Sequence, residues 1–148
     1  MKTAPQDIVS ALNRAVAIER AAALQYKHNA ATVRGLLRPV YRPFFAAQGD
    51  EAMSHADRFG LKIVAMGGEL KTDVAEWRAE PGLQAMLRSA LALEKRALAT
   101  YQAALELAGD TALRNMLEDQ IDAEQSDVEE LTIMLEDYAH YAAAEAAE

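Results

Sequence analysis

Apolar side chains recur at alternating three- and four-residue intervals in four separate stretches of the chain, and glycine or proline interrupts this spacing between them. Such spacing gives an α-helix one face that packs against a core and another that meets solvent. Ala, Leu, Glu and Arg, which favour helices, are abundant, and strands have little support. The pattern predicts an all-α, antiparallel four-helix bundle.

Glycine, proline and capping residues set the predicted helix ends. Thr3 and Gln6 form a capping box before the first helix. Gly109 and Asp110 separate the third helix from the fourth as stop and cap, so these two helices should be antiparallel neighbours. The four apolar stripes run from Ile8 to Val33, from Tyr41 to Met66, from Leu83 to Ala108 and from Leu113 to Tyr138. The second includes Phe44, Gln48, Phe59 and Ile63, the third includes Tyr101, and the fourth includes Gln120.

Residues 69–81 lose the helical spacing and are too many for a tight turn. We expect them to form a long crossover between helices 2 and 3 that runs along the bundle. Residues 142–148 are expected to fray as a solvated tail. A length of 148 residues fits one domain, so residues 1–148 are predicted to form a single bundle.

Composition excludes several classes of protein. The 23 acidic and 15 basic side chains give a net charge of −8, which argues against a nucleic-acid partner. The absence of cysteine excludes disulfides, thiolate zinc sites, iron–sulfur clusters and a cysteine nucleophile. Residues 1–7 do not resemble a signal peptide, and no long uncharged apolar run suggests a membrane partner. The expectation is a soluble, cytoplasmic protein.

A glutamate interrupts each of the four apolar stripes near its middle; these are Glu19, Glu51, Glu94 and Glu124. An uncompensated buried carboxylate costs several kcal/mol, against a total folding stability of about 5–15 kcal/mol. Protons, basic partners or bound cations could neutralise such groups, and the stripes carry no Lys or Arg at the same height. Divalent metal ions are the simplest explanation.

Two further side chains extend this set. His55 lies four residues after Glu51, and Asp127 lies three after Glu124, so each pair shares one helix face and can chelate an ion. An oxygen-rich set with one imidazole suits iron or manganese, and zinc is also compatible.

These residues resemble the ferritin-like diiron family, and within it the bacterioferritins. The family motif is one Glu from each of two helices and a Glu-x-x-His from each of the other two. The likeness covers most of residues 8–137, with local similarity at Leu12-Asn13, Gln25-Tyr26, Asp50-Glu51, His55-Ala56-Asp57 and Leu91-Ala92-Leu93-Glu94.

The resemblance implies terminal carboxylates at Glu19 and Glu94, bridging carboxylates at Glu51 and Glu124, and His55 as a ligand of the first metal. It places Tyr26 beside the site, although Tyr26 is equally well explained as an ordinary core residue. The implied reaction is the oxidation of two Fe(II) by O₂ or peroxide.

Two departures from the family motif affect the expected site. The second helix reads Glu51-x-x-x-His55, one residue longer than the family spacing, with Ala52 in the aligned position. Either Glu51 reaches the metal from the adjoining position, or a π-bulge lies there. The fourth helix carries Asp127 where the bacterioferritins have a second His, which makes the second position all-carboxylate and favours harder ions.

Met53 precedes His55 by two residues, at the place where bacterioferritin supplies a methionine that binds haem at a dimer interface. Methionine is a common filler of cores and interfaces, so haem is not the expected cofactor. A homo-oligomer is expected, with a dimer as the default and a cage as the alternative.

The leading functional hypothesis is a dimetal oxidase of ferroxidase type. One alternative is a ferritin-like structural or metal-binding module without turnover, because the second His is missing. In another, the carboxylates are protonated or paired internally and bind no metal.

Overall fold

A computed structural model describes residues 5–147, and within them the chain forms four α-helices and no strand. The helices are α1 (Gln6–Thr32), α2 (Arg38–Ala65), α3 (Leu83–Leu107) and α4 (Thr111–Ala147). The predicted all-α four-helix bundle is confirmed. None of these helices is long and apolar enough to cross a membrane.

The helix ends follow largely from the residues that mark them in the sequence. Gly35 and Gly67, after α1 and α2, have φ angles of 94° and 82°, which side chains other than glycine rarely adopt. The Asp110 carboxylate accepts hydrogen bonds from the backbone N–H groups of Ala112 (3.2 Å) and Leu113 (3.3 Å), as expected of a cap. Thr3 of the predicted capping box lies outside the described residues.

Helix α4 extends through Ala147, into the tail that is predicted to fray, and most of its last residues are exposed. Residue 148 of that tail lies outside the described part of the chain. Alanine and glutamate predominate there, and both favour the helix without any packing partner.

Contacts between side chains fix the directions of the helices. Glu19 of α1 meets Tyr101 of α3, whereas Tyr26, further along α1, meets Glu94, which lies earlier in α3. Helices α1 and α3 are therefore antiparallel. Helix α1 also packs closely against α2, and α3 against α4, but no Cα atoms of α2 and α4 approach within 8 Å of each other.

The segment after α2 runs along α1 as the predicted crossover. Asn13 donates a hydrogen bond to the carbonyl of Glu69 (2.9 Å), and Arg20 donates one to the carbonyl of Asp73 (3.0 Å). The backbone N–H of Ala75 donates to the carbonyl of Ala17 (3.0 Å). The crossover thus returns the chain to the end of the bundle where α2 began, and α3 runs parallel to α2.

The buried face of α2 differs from the predicted stripe in the middle of the helix, whereas Tyr41, Phe59 and Ile63 of that stripe are buried as predicted. Its core-facing residues include Phe45, Gly49, Ala52 and Ala56, whereas the predicted stripe contained their neighbours Phe44, Gln48, Glu51 and His55. Gly49 leaves room for the Lys27 side chain of α1, since a Cβ added at Gly49 would lie 3.0 Å from atoms of that side chain. Glu51 and His55 are only partly buried, at the edge of the core.

Candidate metal centre

Three of the four glutamates that interrupt the predicted stripes are buried at mid-height in the bundle. Glu19 of α1, Glu94 of α3 and Glu124 of α4 expose 2%, 5% and 0% of their surfaces. Each replaces an apolar residue on a face otherwise occupied by the core, as the sequence pattern predicted. The helical spacing therefore delivers three carboxylates to one dry region.

These glutamates form two overlapping groups with His55 and Asp127. Glu19, His55 and Glu124 make one group, which we call the histidine position. Glu94, Glu124 and Asp127 make the other, which we call the carboxylate position. In each group the candidate ligand atoms lie within 4.8 Å of one another. Glu124 belongs to both groups.

His55 directs one ring nitrogen into the centre. Its Nδ1 lies 3.3 Å from Glu19 Oε2 and 3.6 Å from Glu124 Oε1. Its Nε2 faces outward, 3.7 Å from Glu51 Oε1. Nδ1 is therefore the nitrogen available to an ion in the histidine position.

A second layer of polar side chains holds the buried carboxylates. The Tyr26 hydroxyl donates a hydrogen bond to Glu94 Oε1 (3.0 Å), and the Tyr101 hydroxyl donates one to Glu19 Oε1 (3.3 Å). Gln120 donates from Nε2 to Glu124 Oε1 (3.0 Å). Each of the three buried glutamates thus has one fixed oxygen.

Tyr26 lies where the resemblance placed it, but sequence reasoning assigned no role to Tyr101 or Gln120. Both occupy predicted core stripes, Tyr101 two turns after Glu94 and Gln120 one turn before Glu124. The sequence signal for both was a polar group, the Tyr101 hydroxyl or the Gln120 amide, on a core stripe near the level of the carboxylates.

Burial dominates the electrostatics of the centre. It raises the pKa of Glu19 to about 8 and that of Glu124 to about 9. Hydrogen bonds from Glu124 to Glu19 and from Glu94 to Glu124 lower these two pKa values, whereas the charge of Asp127 raises both. Burial likewise raises the pKa of Asp127 to about 7 and holds the pKa of Glu94 well above its usual range. Within residues 5–147, no Lys or Arg forms a salt bridge with any of these four groups.

The residues present fit a pair of divalent metal ions. Glu124 Oε2 is buried and has no hydrogen-bond partner, so this oxygen has lone pairs free for a cation. The donors are carboxylate oxygens and one imidazole nitrogen, a set that suits iron or manganese.

Two other residues singled out from the sequence lie apart from this cluster. The Glu51 side chain is 42% exposed and belongs to neither group of ligands. Its predicted place on the buried stripe is wrong, because Ala52 takes that place with 3% exposure. Met53 is 42% exposed and lines a groove that α2 forms with Arg20 of α1 and Leu70 of the crossover.

Comparisons with known proteins agree with this architecture. A ferritin-like domain model matches residues 9–140. A ferritin-like diiron-carboxylate protein from Bacillus anthracis str. Ames is 32% identical, with a TM-score of 0.84 over 88% of this chain and 96% of the other.

The bacterioferritin of Rhodobacter capsulatus, solved with a metal-free dinuclear site and haem iron, is 23% identical, with a TM-score of 0.85 over 94% of this chain and 89% of the other. At that identity the likeness concerns the fold alone. No curated protein matches the chain. Because the sequence match spans nearly all of the bundle, the chain belongs to the ferritin-like domain family.

Proposed function

We propose that this chain binds two iron ions at its buried carboxylates and oxidises Fe(II) with O₂ or hydrogen peroxide. One observation carries the proposal: Glu19, Glu94 and Glu124 meet in a buried interior, and no Lys or Arg among residues 5–147 forms a salt bridge with them. The diiron-carboxylate description of the B. anthracis relative supports iron as the metal. Manganese and zinc are the other ions to be compared.

The ligands follow from the two groups. Glu19, His55 and Glu124 would hold one ion in the histidine position, and Glu94, Glu124 and Asp127 would hold the other in the carboxylate position. Two bound Fe(II) ions would supply the two electrons that, with two protons, reduce O₂ to hydrogen peroxide.

The protein's own part is charge balance and geometry. Buried carboxylates stabilise a rising positive charge more strongly than exposed ones, because little solvent screens them. Tyr26 and Tyr101 fix one oxygen each of Glu94 and Glu19. The second oxygen of Glu19 lies 3.3 Å from His55 Nδ1, where an ion would take the place of the shared proton. We assign both tyrosines as positioning residues, since such supporting hydrogen bonds orient metal ligands.

Aerobic Fe(II) oxidation tests the proposal directly. Fe(II) is added to the metal-free protein, and formation of Fe(III) is followed in the near ultraviolet. We expect the wild type to oxidise Fe(II) at least tenfold faster than Glu94→Ala, and Glu106→Ala, on the exposed face of α3, to match the wild type. Equal rates of Fe(II) oxidation for the wild type and Glu94→Ala would exclude the proposed oxidase activity.

A metal-binding module without turnover is the second candidate. Asp127, in place of a second imidazole, favours it, because an all-oxygen position alters metal preference. Metal analysis separates the two candidates: a chain that binds ions but does not accelerate Fe(II) oxidation is the module. If adding Fe(II), Mn(II) or Zn(II) left the melting temperature unchanged, the centre would bind no metal, since a ligand of the native state must stabilise it.

The proposed protein is a homo-oligomer in the cytoplasm. We expect a homo-oligomer, because Leu61, Val64 and Met53 leave apolar surface exposed on the outer face of α2. Solution mass distinguishes a dimer from a cage. A cytoplasmic location suits an Fe(II) substrate, since that compartment is reducing.

A further inference from the structure

The two departures from the family motif lie at the same centre. Helix α2 has Ala52 where the motif has a Glu, and α4 has Asp127 where the motif has a His. One change removes a carboxylate from the ligand positions, and the other adds one. The structure shows how far each affects the centre.

Ala52 leaves its position without a ligand, and Glu51 does not take it over. Ala52 faces the core with 3% exposure, whereas Glu51 is one residue earlier and points towards the edge of α2. Helix α2 is continuous through this region, so no π-bulge brings Glu51 inward. The Glu51 carboxylate is 3.7 Å from His55 Nε2, beyond hydrogen-bonding distance, on the side of the ring away from the centre.

Asp127 lies at the centre itself. Its carboxylate is grouped with those of Glu94 and Glu124, and it is partly buried. One helical turn separates it from Glu124, so both side chains project from the same face of α4. The carboxylate lost from α2 is therefore matched by a carboxylate gained on α4, where it takes the place of an imidazole.

The exchange keeps the number of negative charges at the centre unchanged. The family motif supplies four carboxylates and two neutral imidazoles, which balance two divalent ions. Here Glu19, Glu94, Glu124 and Asp127 supply the same four negative charges, with one imidazole. A fifth carboxylate from Glu51 would leave a net negative charge in a dry interior, which is costly.

We propose that Asp127 has replaced the α2 carboxylate as the fourth anionic ligand, so that Glu51 binds no metal and Glu124 is the only bridging carboxylate. The inference rests on the proposed function only in requiring two bound ions. It makes the two positions unequal, because the histidine position holds the imidazole and the carboxylate position holds oxygen ligands alone.

Binding of Mn(II) to the full chain tests this without depending on oxidation. Equilibrium dialysis with elemental analysis counts the ions in wild type, Glu51→Gln and Asp127→Asn. Glu118→Gln, on the exposed face of α4, controls for the loss of one negative charge. We expect two Mn(II) per chain in the wild type, in Glu51→Gln and in the control.

The loss of Mn(II) affinity should differ between the variants. Loss of a residue that supports a ligand costs about 10- to 100-fold in affinity, and loss of a ligand should cost no less. We expect Asp127→Asn to lose one ion or to bind it at least tenfold more weakly. We expect Glu51→Gln to stay within about threefold of the wild type, because it lies beyond hydrogen-bonding distance of His55.

A rescue experiment tests the exchange itself. Adding Ala52→Glu to Asp127→Asn returns a carboxylate to the α2 position of the motif, and we expect the second Mn(II) to return with it. Circular dichroism checks that the double variant folds. A folded double variant that still binds one ion would overturn the exchange, and if it does not fold, the single variants decide.

The outcomes separate this inference from the proposed function. A wild type that binds no Mn(II) and no Fe(II) overturns both. A wild type that binds two ions, with one lost in Glu51→Gln, overturns this inference alone.

Discussion

Replacing Glu124 by Gln should stabilise the metal-free protein. Gln has nearly the same shape and keeps an oxygen that can accept the hydrogen bond from Gln120. It cannot ionise, so it removes the cost of keeping a carboxyl group protonated in the core. The expected gain is unusual for a fully buried residue, because most core substitutions destabilise.

The magnitude follows from the shifted pKa. Burial raises the pKa of Glu124 from 4.5 to about 9, so at pH 7 the group is protonated in the folded chain and ionised in the unfolded one. One pKa unit corresponds to about 1.4 kcal/mol, so the span from 4.5 to pH 7 costs the wild type about 3 kcal/mol. The Gln amide N–H₂ takes the position of Glu124 Oε2, which has no hydrogen-bond partner, and an unsatisfied buried donor costs about 1–3 kcal/mol. Because Glu19 and Glu94 also respond to the substitution, we expect a net gain of about 1–2 kcal/mol.

The sign of the pH dependence provides a second check. A carboxyl group with a raised folded pKa contributes its full stability below its unfolded pKa and loses it as pH rises through the folded pKa. At pH 5, the same calculation gives a cost of less than about 1 kcal/mol for keeping Glu124 protonated in the folded wild type. The advantage of Glu124→Gln should therefore be large at pH 7 and small at pH 5.

Urea unfolding of chelator-treated protein, followed by far-ultraviolet circular dichroism at both pH values, measures these differences. Glu118→Gln should change stability by less than about 0.5 kcal/mol, because surface substitutions usually do. Saturating Mn(II) should reverse the order, since the wild type gains binding energy that Glu124→Gln lacks. The reasoning would be refuted if metal-free Glu124→Gln were no more stable than the wild type at pH 7. It would also be refuted if the difference in the free energy of unfolding were the same at pH 5 as at pH 7.

The remaining predictions concern the whole centre and one helix end. The free energy of unfolding of the metal-free wild type should fall between pH 5 and pH 9, because burial raises the pKa of Glu19 to about 8; a flat urea-unfolding profile would contradict this. Tyr101→Phe keeps the ring but removes the donor to Glu19, and dialysis should show Mn(II) affinity about 10- to 100-fold weaker; unchanged affinity would exclude a positioning role. Gly68→Ala places a Cβ 2.8 Å from Val9 Cγ2 and should cost about 1–3 kcal/mol in urea unfolding, whereas Gly109→Ala, with nothing within 4 Å, should cost less; equal losses would show that the contact is relieved.

The fold and most of the carboxylate cluster could be predicted from sequence because strong signals agreed. The apolar stripe of α1 is buried along its whole predicted length, so Glu19 stands out as a charge on an otherwise apolar face. The same holds for Glu94 and Glu124, whose neighbours on the stripes, such as Leu87 and Leu117, are fully buried.

Helix α2 could not be predicted as well, for a physical reason. Its core face is built partly from Gly49, Ala52 and Ala56, which contribute little hydrophobic signal but allow close packing. A pattern based on apolar side chains therefore selected the adjacent residues in the middle of α2 and placed Glu51 in the core. How closely two helices pack depends on the tertiary structure, and the spacing of apolar residues in the sequence does not reveal it.

The long crossover has a consequence for how the centre is assembled. Glu19 and His55 come from the α1–α2 hairpin, whereas Glu94, Glu124 and Asp127 come from the α3–α4 hairpin. Residues 66–82 alone connect these halves, and Asn13 and Arg20 tie that connection down along α1. Releasing these ties would let two copies exchange hairpins, as domain-swapped proteins do. Each exchanged bundle would keep a full set of ligands drawn from both chains, whereas one hairpin alone has too few to bind two ions.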